Sequence, residues 1–445
     1  MKDFGTETIP QFMVAAPASN CGKTTLTLGL LSAFKAKGLS IQPFKCGPDY
    51  LDTQLHTKAS GQQSINLDLF FSSENHVKEL YSQYTQNKQA TVVESVMGLF
   101  DGANRGNGSS ANISKLLNIP VILVVDARAM AYSVAPLLYG YKNFDPAVNI
   151  AGVIFNFVNT DSHYQYLQAA CKDVGIRSFG YVPKNETIKI PGRHLGLVTS
   201  PDLQWDEIFK NLSSHIAKHL DLDEIIEATS KPIPVQQTQK NINSNKKLKI
   251  AISKDEAFSF TYYENLKALE FLGEVTFFSP LHDTELPKTD FIYLSGGYPE
   301  LYLEKLSANK SMLQSIKNYC EQGGKVLAEC GGMMYLGKSI EDREGNTYPM
   351  ANFFDYTTSM AQPKLSLGYR KFFVEHEEFR GHEFHYSNIV EHSTIETCGD
   401  FKNATDQPTG TKLFRKNKVW ASYMHFYWGE KNESDNYPFL GNILS

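Results

Sequence analysis

The chain has 445 residues, 42% of them apolar and 20% charged, with a formal net charge of −5. That is the profile of an ordinary globular protein, too long for one hydrophobic core and so expected to fold as two domains. The acidic balance leaves no basic stripe, and no nucleic-acid partner is expected.

Cysteine use and the apolar runs narrow the class further. Cys21, Cys46, Cys171, Cys320, Cys330 and Cys398 stand singly, without a CxxC pair. This argues against a zinc knuckle or a disulfide framework and suits a reducing compartment. The opening MKDFGTETIPQ lacks the apolar core of a signal peptide, and the strongest apolar run, Ile119–Val125, is too short to span a bilayer. A cytoplasmic protein with no membrane partner is expected, with a homodimer left open.

In chain order, Phe12–Ala16, Thr91–Glu94, Val121–Asp126 and Ala151–Phe155 read as buried strands. Between the first two, Leu26, Leu30 and Phe34 share one helix face, and Gly38 supplies a stop. From Ala228 to Lys249 the sequence turns polar, with two prolines, repeated Gln, Asn and Lys, and no aromatic residue. This places a linker at 231–247 between units 1–230 and 248–445. Beyond it, Leu248–Ile252, Glu274–Phe278, Asp290–Leu294 and Lys325–Ala328 read as strands, with a helix over 311–322 ended by Gly323 and Gly324. Strands alternating with helices predict an α/β protein with a doubly wound, Rossmann-like parallel sheet in each half. Ligands on such sheets sit at the carboxyl ends of strands.

The residues with chemistry fall at those ends. In SNCGKTT (Ser19, Asn20, Cys21, Gly22, Lys23, Thr24, Thr25), backbone N–H groups and a helix N-terminus can wrap phosphate oxygens. Lys23 then neutralises charge and Thr24 can ligate Mg²⁺. Asp49 in KCGPDYLD and Glu94 in VVESVMGLFDG are the acids for such a site, and Asp101 can position a group to be phosphorylated.

Further on, KVLAECGG carries an apolar strand into Cys330, Gly331 and Gly332, with Met333, Met334 and Leu336 in a helical pattern behind. A strand-to-helix turn of this kind exposes a nucleophile in a tight bend, and the helix N-terminus is expected to favour its thiolate. The glycines are expected to supply the backbone that the bend demands. His425 in SYMHFYW is the base for it, brought back by the fold. Gly296 and Gly297 in LSGGYPE, with Gly331, can present N–H groups to a tetrahedral oxyanion.

Other features take plain readings. His382, Glu383 and His385 in GHEFHY have the wrong spacing for a zinc helix. His215 and His219 read as a solvated helix face, and Phe258, Phe260, Tyr262 and Tyr263 as core or interface aromatics. Arg193 and His194 in GRHLGL can face an anionic substrate.

The segments QPFKCGPDYLD, NLDLF, ESVMGLFDG, VILVVDA, AGVIFN and RHLGLV occur in this order. They are followed by AFSFTYYENL, FFSPLHD, SGGYPELY, AECGGMMYL, GHEFHYS and SYMHFYW. This array resembles the cobyrinate a,c-diamide synthase family, and the N-terminal half also resembles dethiobiotin synthetase. The resemblance implies a P-loop NTPase-type unit followed by a flavodoxin-like class I glutamine amidotransferase unit. It implies ATP- and glutamine-dependent amidation of the c and a acetates of cobyrinate through an acyl phosphate. Lys23 and Thr24 would then serve ATP and Mg²⁺, and Asp49, Tyr50, Leu51 and Glu94 would position nucleotide, metal or substrate. Asp101 would act near the phosphorylated intermediate, with Cys330 as nucleophile and His425 as base.

Ala16 and Ser95 stand where the family tends to have glycine, and Tyr427 stands where the wider class has an acid two residues after its histidine. The group that orients His425 is left open. Two alternatives stay open as well. One is the same chemistry on hydrogenobyrinate or nickel sirohydrochlorin. The other is a non-catalytic partitioning-type ATPase with a degenerate tail.

Overall fold

A computed structural model describes residues 8–188, 190, 192–193, 196–197, 204–234, 248–374, 377–392, 395–432 and 436–444. The chain divides into two compact units, Met1–Gln239 and Lys240–Ser445.

The first unit is built on β1 (Thr8–Ala15), β2 (Ile41–Cys46), β3 (Ile65–Leu67), β4 (Ala90–Glu94), β5 (Val121–Asp126), β6 (Ile150–Asn156) and β7 (Ser178–Val182). They lie in the order β3-β2-β4-β1-β5-β6-β7, all parallel. The strand Ser230–Pro232 adds to β1 antiparallel through Thr8–Pro10. It takes up Lys231 and Pro232, the first two residues of the expected linker. Placing β2, β4 and β1 side by side lines up their carboxyl ends, so the turns after Ala15, Cys46 and Glu94 converge.

Helix α1 (Lys23–Ala36) follows β1 and is buried from Leu26 through Phe34, not along one face alone. Its outer side is covered by the helix Trp205–His219, which comes so close that a Cβ on Gly29 would lie 2.4 Å from Cγ1 of Ile216. The stop falls as expected, with Gly38 at φ +86°. The sequence hid β2 because Pro43 sits in its middle, and proline lacks the N–H that a central strand needs.

The second unit has a core sheet in the order Gly273–Phe278, Leu248–Ser253, Phe291–Leu294, Lys325–Glu329, Val419–Ser422, Leu413–Lys416. All neighbours are parallel except the last pair. The expected helix runs Lys310–Glu321, and Gly323 turns the chain at φ +82°.

Besides the expected parallel sheet, the second unit carries elements between residues 339 and 426 that the sequence did not announce. Two further four-stranded sheets lie there, one of them entirely antiparallel: Asp400–Asn403, Ser366–Val374, Glu377–His385 and Met424–Phe426. Their strands carry Arg370, Lys371, Glu377, Glu378 and Arg380, which break the apolar runs that marked the parallel strands. Among the described residues no helix is long and apolar enough to cross a membrane.

Candidate active sites

After β1 the chain enters a loop that exposes Ser19 and Asn20, turns through Asn20 (φ +64°) and Gly22 (φ +92°), and starts α1 at Lys23. Gly22 is required by a close approach as well as by its φ. A Cβ there would lie 2.1 Å from Nδ2 of Asn156, which donates to the Cys21 carbonyl at 2.9 Å. Lys23 Nζ donates to the Ala18 carbonyl at 3.0 Å, curling over its own loop. Burial, and then the nearby Lys45 charge, lower its pKa. An arriving phosphate would repay that cost by pairing with the ammonium.

The acids are drawn in beneath. Thr24 Oγ1 donates to Glu94 Oε1 at 2.7 Å, and Lys45 Nζ donates to the same oxygen at 2.9 Å. The other oxygen, Oε2, meets His56 Nε2 at 2.6 Å. Lys45 also pairs with Asp52 at 2.6 Å. Burial alone would raise the pKa of Glu94, but Lys45, His56 and Thr24 together hold it well below the usual carboxylate range. Burial likewise opposes the charge on Lys45, and Asp52 and Glu94 overcome it and raise its pKa. The result is a dry, fixed carboxylate at the root of the phosphate loop.

Asp49 stands just before α2 (Leu51–Ser60) and accepts from the Asp52 N–H in its first turn at 2.8 Å. Tyr50 and Leu51 open that helix, Tyr50 buried and Leu51 half-buried. Asp101 is exposed and accepts from the Gly98 N–H at 2.9 Å. Its loop is tied to the phosphate loop, since Leu99 N–H donates to the Ala16 carbonyl at 2.9 Å. A Cβ on Gly98 would lie 2.7 Å from both Asp101 Oδ2 and the Pro17 carbonyl. The fold therefore brings Ser19–Thr25, Asp49, Glu94 and Asp101 to one end of one sheet.

In the second unit, strand Lys325–Glu329 ends in a sharp turn at Cys330 (φ +48°, ψ −107°), and the helix Gly331–Leu336 follows at once. The strain sits on the cysteine. Neither Gly331 nor Gly332 has a positive φ, which corrects the expectation that they supply the unusual backbone. They are glycine because their neighbours are close. A Cβ would lie 2.7 Å from Pro299 Cδ at Gly331 and 2.3 Å from the Leu294 carbonyl at Gly332. A non-glycine residue held at such φ/ψ costs about 1–3 kcal/mol, a cost that gathers at functional positions.

The resting thiol also departs from expectation. Burial, with Glu300 adding to it, pushes the Cys330 pKa well above the ordinary thiol value, so the unliganded site holds a thiol.

His425 sits on the strand Met424–Phe426, just beyond Val419–Ser422, which pairs with the cysteine's strand. The Cys330 N–H donates to the Ser422 carbonyl at 2.7 Å. The His425 ring stacks on His382, with centroids 4.9 Å apart and planes at 13°. Burial, then the nearby His385, lower its pKa to about 3, leaving it a neutral base. Gly296 lies against this ring, and Gly297 adopts φ +155° where a Cβ would lie 2.0 Å from the Ala257 carbonyl. Gly331 is near Gly297, its hypothetical Cβ 3.0 Å from the Gly297 carbonyl.

GHEFHY forms a strand in which His382 faces His425, while Glu383 pairs with Arg370 at 2.6 Å and His385 at 2.8 Å. His215 and His219 are less solvated than expected: their rings meet at 4.7 Å, and His215 Nε2 contacts the Pro183 carbonyl at 3.2 Å. Phe258, Phe260 and Tyr262 are buried, as core aromatics should be.

Comparison with known proteins gives a domain family for each unit. Residues 12–198 match the CobQ/CobB/MinD/ParA nucleotide binding domain, and residues 249–433 match the CobB/CobQ-like glutamine amidotransferase domain. The cobyrinate a,c-diamide synthase of Caldanaerobacter subterraneus subsp. tengcongensis is 41% identical over 391 residues, covering 85% of this chain and 86% of that protein. That of Streptococcus sanguinis is 37% identical over 440 residues, covering 95% and 97%. That of Methanococcus maripaludis is 39% identical over 403 residues, covering 85% and 87%. The chain belongs to the cobyrinate a,c-diamide synthase family.

Membership makes it a glutamine-hydrolysing ligase carrying out glutamine-dependent amidation in cobalamin biosynthesis, and ATP and glutamine as co-substrates fit the family. The alternative of a non-catalytic ATPase with a degenerate tail is set aside. Arg193 lies in the two-residue strand Gly192–Arg193, paired with Gly196–Leu197. His194 lies outside the described residues.

Sequence reading missed Lys45, His56 and Asn156. Lysine and asparagine pass for surface residues until a carboxylate or a loop carbonyl from a distant segment is seen beside them. The usable signal was position, since Lys45 and Asn156 stand at or next to strand ends.

Proposed function

We propose that this chain amidates the c and then the a acetate carboxylate of cobyrinate, using ATP to activate the carboxylate and glutamine as nitrogen donor. Lys23 and the backbone N–H groups of Ser19–Thr25 hold the nucleotide phosphates. Thr24, Glu94 and Asp49 would hold Mg²⁺, which supplies charge neutralisation at the phosphates when bound. Among the described residues no group of three or more His, Cys, Asp or Glu is arranged for a metal. Magnesium nonetheless commonly takes only one or two carboxylates, completing its shell with phosphate and water. Asp101 would act on the transferred phosphoryl group, and Tyr50, Leu51, Arg193 and His194 would serve in binding the substrate.

A cobyrinate carboxylate oxygen bonds to the γ-phosphorus and ADP leaves. Ammonia then attacks the acyl carbon, and phosphate leaves to give the amide. In the second unit His425 takes the Cys330 proton, and the thiolate attacks the glutamine carboxamide. Gly296, Gly297 and Gly331 offer N–H groups to the oxyanion. Ammonia departs with the proton from His425, and water hydrolyses the thioester to glutamate.

The observation that supports this most is a coincidence on one chain. A part-buried Thr24–Glu94 contact of 2.7 Å lies under a phosphate loop, and a strained cysteine elbow ends a strand paired with Val419–Ser422, the segment that leads directly to His425. The test incubates the purified enzyme with ATP and amide-¹⁵N glutamine on cobyrinate, hydrogenobyrinate and nickel sirohydrochlorin separately. Two labelled amides on cobyrinate are expected. ATP consumption without label entering cobyrinate would refute the reading.

A further inference from the structure

Glu329 ends the strand that carries Cys330 and is fully buried. Its Oε1 accepts the Phe426 N–H at 3.0 Å, and its Oε2 accepts the Tyr293 hydroxyl at 2.7 Å. The same Oε2 lies 3.8 Å from Nδ1 of His425. A base that must carry a proton in a dry site needs a group to fix its tautomer and to face its charge. The residues flanking His425 offer no acid: Met424, Phe426, Tyr427 and Trp428. Glu383, another carboxylate of the neighbourhood, is engaged with Arg370 at 2.6 Å, Thr411 at 2.6 Å and His385 at 2.8 Å.

We propose that Glu329 is the positioning carboxylate of His425, so that the nucleophile and the acid that steers its base are consecutive residues. The inference rests on Cys330 and His425 acting as proposed above. With a proton on Nδ1 facing Glu329, the Nε2 lone pair of His425 is left to accept the thiol proton. The S–H bond breaks, an Nε2–H bond forms, and the resulting imidazolium presents Nδ1–H to Oε2. The 3.8 Å separation closes as that charge develops, as such contacts do between resting and reacting states. Tyr293 and the Phe426 N–H hold the carboxylate at two points, so it cannot turn away from the ring.

The test compares Glu329→Gln, Glu329→Asp and Tyr293→Phe with Cys330→Ala and His425→Gln in the full chain. It reads glutamine-driven kcat and KM, ammonia-driven rate, and the pH profile of Cys330 alkylation by iodoacetamide. The titratable groups around His425 are Glu329, then His382, Glu383 and His385 from the antiparallel strand, with Tyr262 behind His382 and Tyr427 beside it. A profile change in Glu329→Gln alone therefore isolates Glu329.

Glu329→Gln is expected to lower glutamine-driven kcat about 100-fold or more. KM for glutamine and the ammonia-driven rate should stay near parental, and the alkylation profile should shift. Glu329→Asp should recover part of the loss, and Tyr293→Phe should show a smaller loss in kcat. Parental kcat in Glu329→Gln, with Cys330→Ala and His425→Gln inactive, overturns the proposal. So does a parallel loss of both activities with an unchanged alkylation profile, which would make Glu329 structural. Glutamine-driven activity persisting in Cys330→Ala would instead refute the underlying glutaminase reading.

Discussion

Gly296 lies so close to the imidazole of His425 that a methyl group on its α-carbon would sit 2.2 Å from Cε1. His425 cannot retreat freely, since His382 stacks on it and its strand is paired to Glu377–His385. Gly296→Ala must therefore displace the ring. The expected result is a fall in glutamine-driven amidation of at least about 100-fold, the scale of losing a positioned base. Ammonia-driven amidation by the same preparation should remain, and a steady-state comparison of the two nitrogen donors checks both.

Cys330→Ala removes the nucleophile and relieves the strained backbone only slightly, since alanine shares the steric limits of cysteine there. Glutamine-driven turnover should vanish while ammonia still supports amidation. A variant as active with glutamine as the parent would remove Cys330 from the mechanism.

The Glu94 cluster gives a prediction about both stability and nucleotide chemistry. Lys45 and Glu94 are buried together, and removing Lys45 takes the buried ammonium from Glu94 and leaves it only Thr24 and His56, at a cost of up to about 3–5 kcal/mol. Lys45→Met should lower the denaturation midpoint strongly, and a urea titration monitored by fluorescence measures it. His56→Ala removes one partner of Glu94 but leaves Lys45 and Thr24. Its mark should be a reduced ATP-dependent rate with a milder stability loss.

Asn156→Ala cuts the hydrogen bond that pins the Cys21 carbonyl. The phosphate loop then loses a fixed wall behind Gly22, and KM for ATP should rise about 10-fold, in line with the loss of one buried hydrogen bond of roughly 1–1.5 kcal/mol. Glutamine hydrolysis, in a separate unit, provides the internal control.

The low pKa of His425 also has a thermodynamic consequence. In the folded state it stays neutral down to about pH 3, whereas in the unfolded chain it takes a proton near pH 6.5. Between these values the unfolded state binds more protons, so stability is full above the unfolded pKa and falls as pH drops through the window. From pH 7 to pH 5 the parent should lose about 2 kcal/mol through this group, and His425→Gln should lack that component. Chemical denaturation at the two pH values measures the difference.

How much of this was legible before the fold was known depends on the kind of residue. Val121–Asp126 and Lys325–Ala328 announced themselves as continuous apolar runs ending at turns, and both are strands at or very near the expected bounds. Thr24, Glu94 and Cys330 could be singled out because they follow such runs. Lys45 could not, since Pro43 disguised its strand and the carboxylates that bury it come from β4 and α2. Glu329 escaped notice beside a more conspicuous cysteine, although an acid closing an apolar strand is itself a signal. The antiparallel sheet was invisible because its longest strands carry charges that break the apolar pattern and it draws its pairing from residues as far along the chain as Phe426.

The backbone bond from Cys330 to Ser422 ties the elbow to a segment made late in translation. The phosphate-loop unit emerges from the ribosome first and has all its described strands by Pro232, while the cysteine must wait for the strand beginning at Val419. On the proposed roles, a chain that stalls before that point holds a thiol with no base to arm it. Aborted products would then squander none of the cell's nitrogen donor, and no separate safeguard would be needed against them.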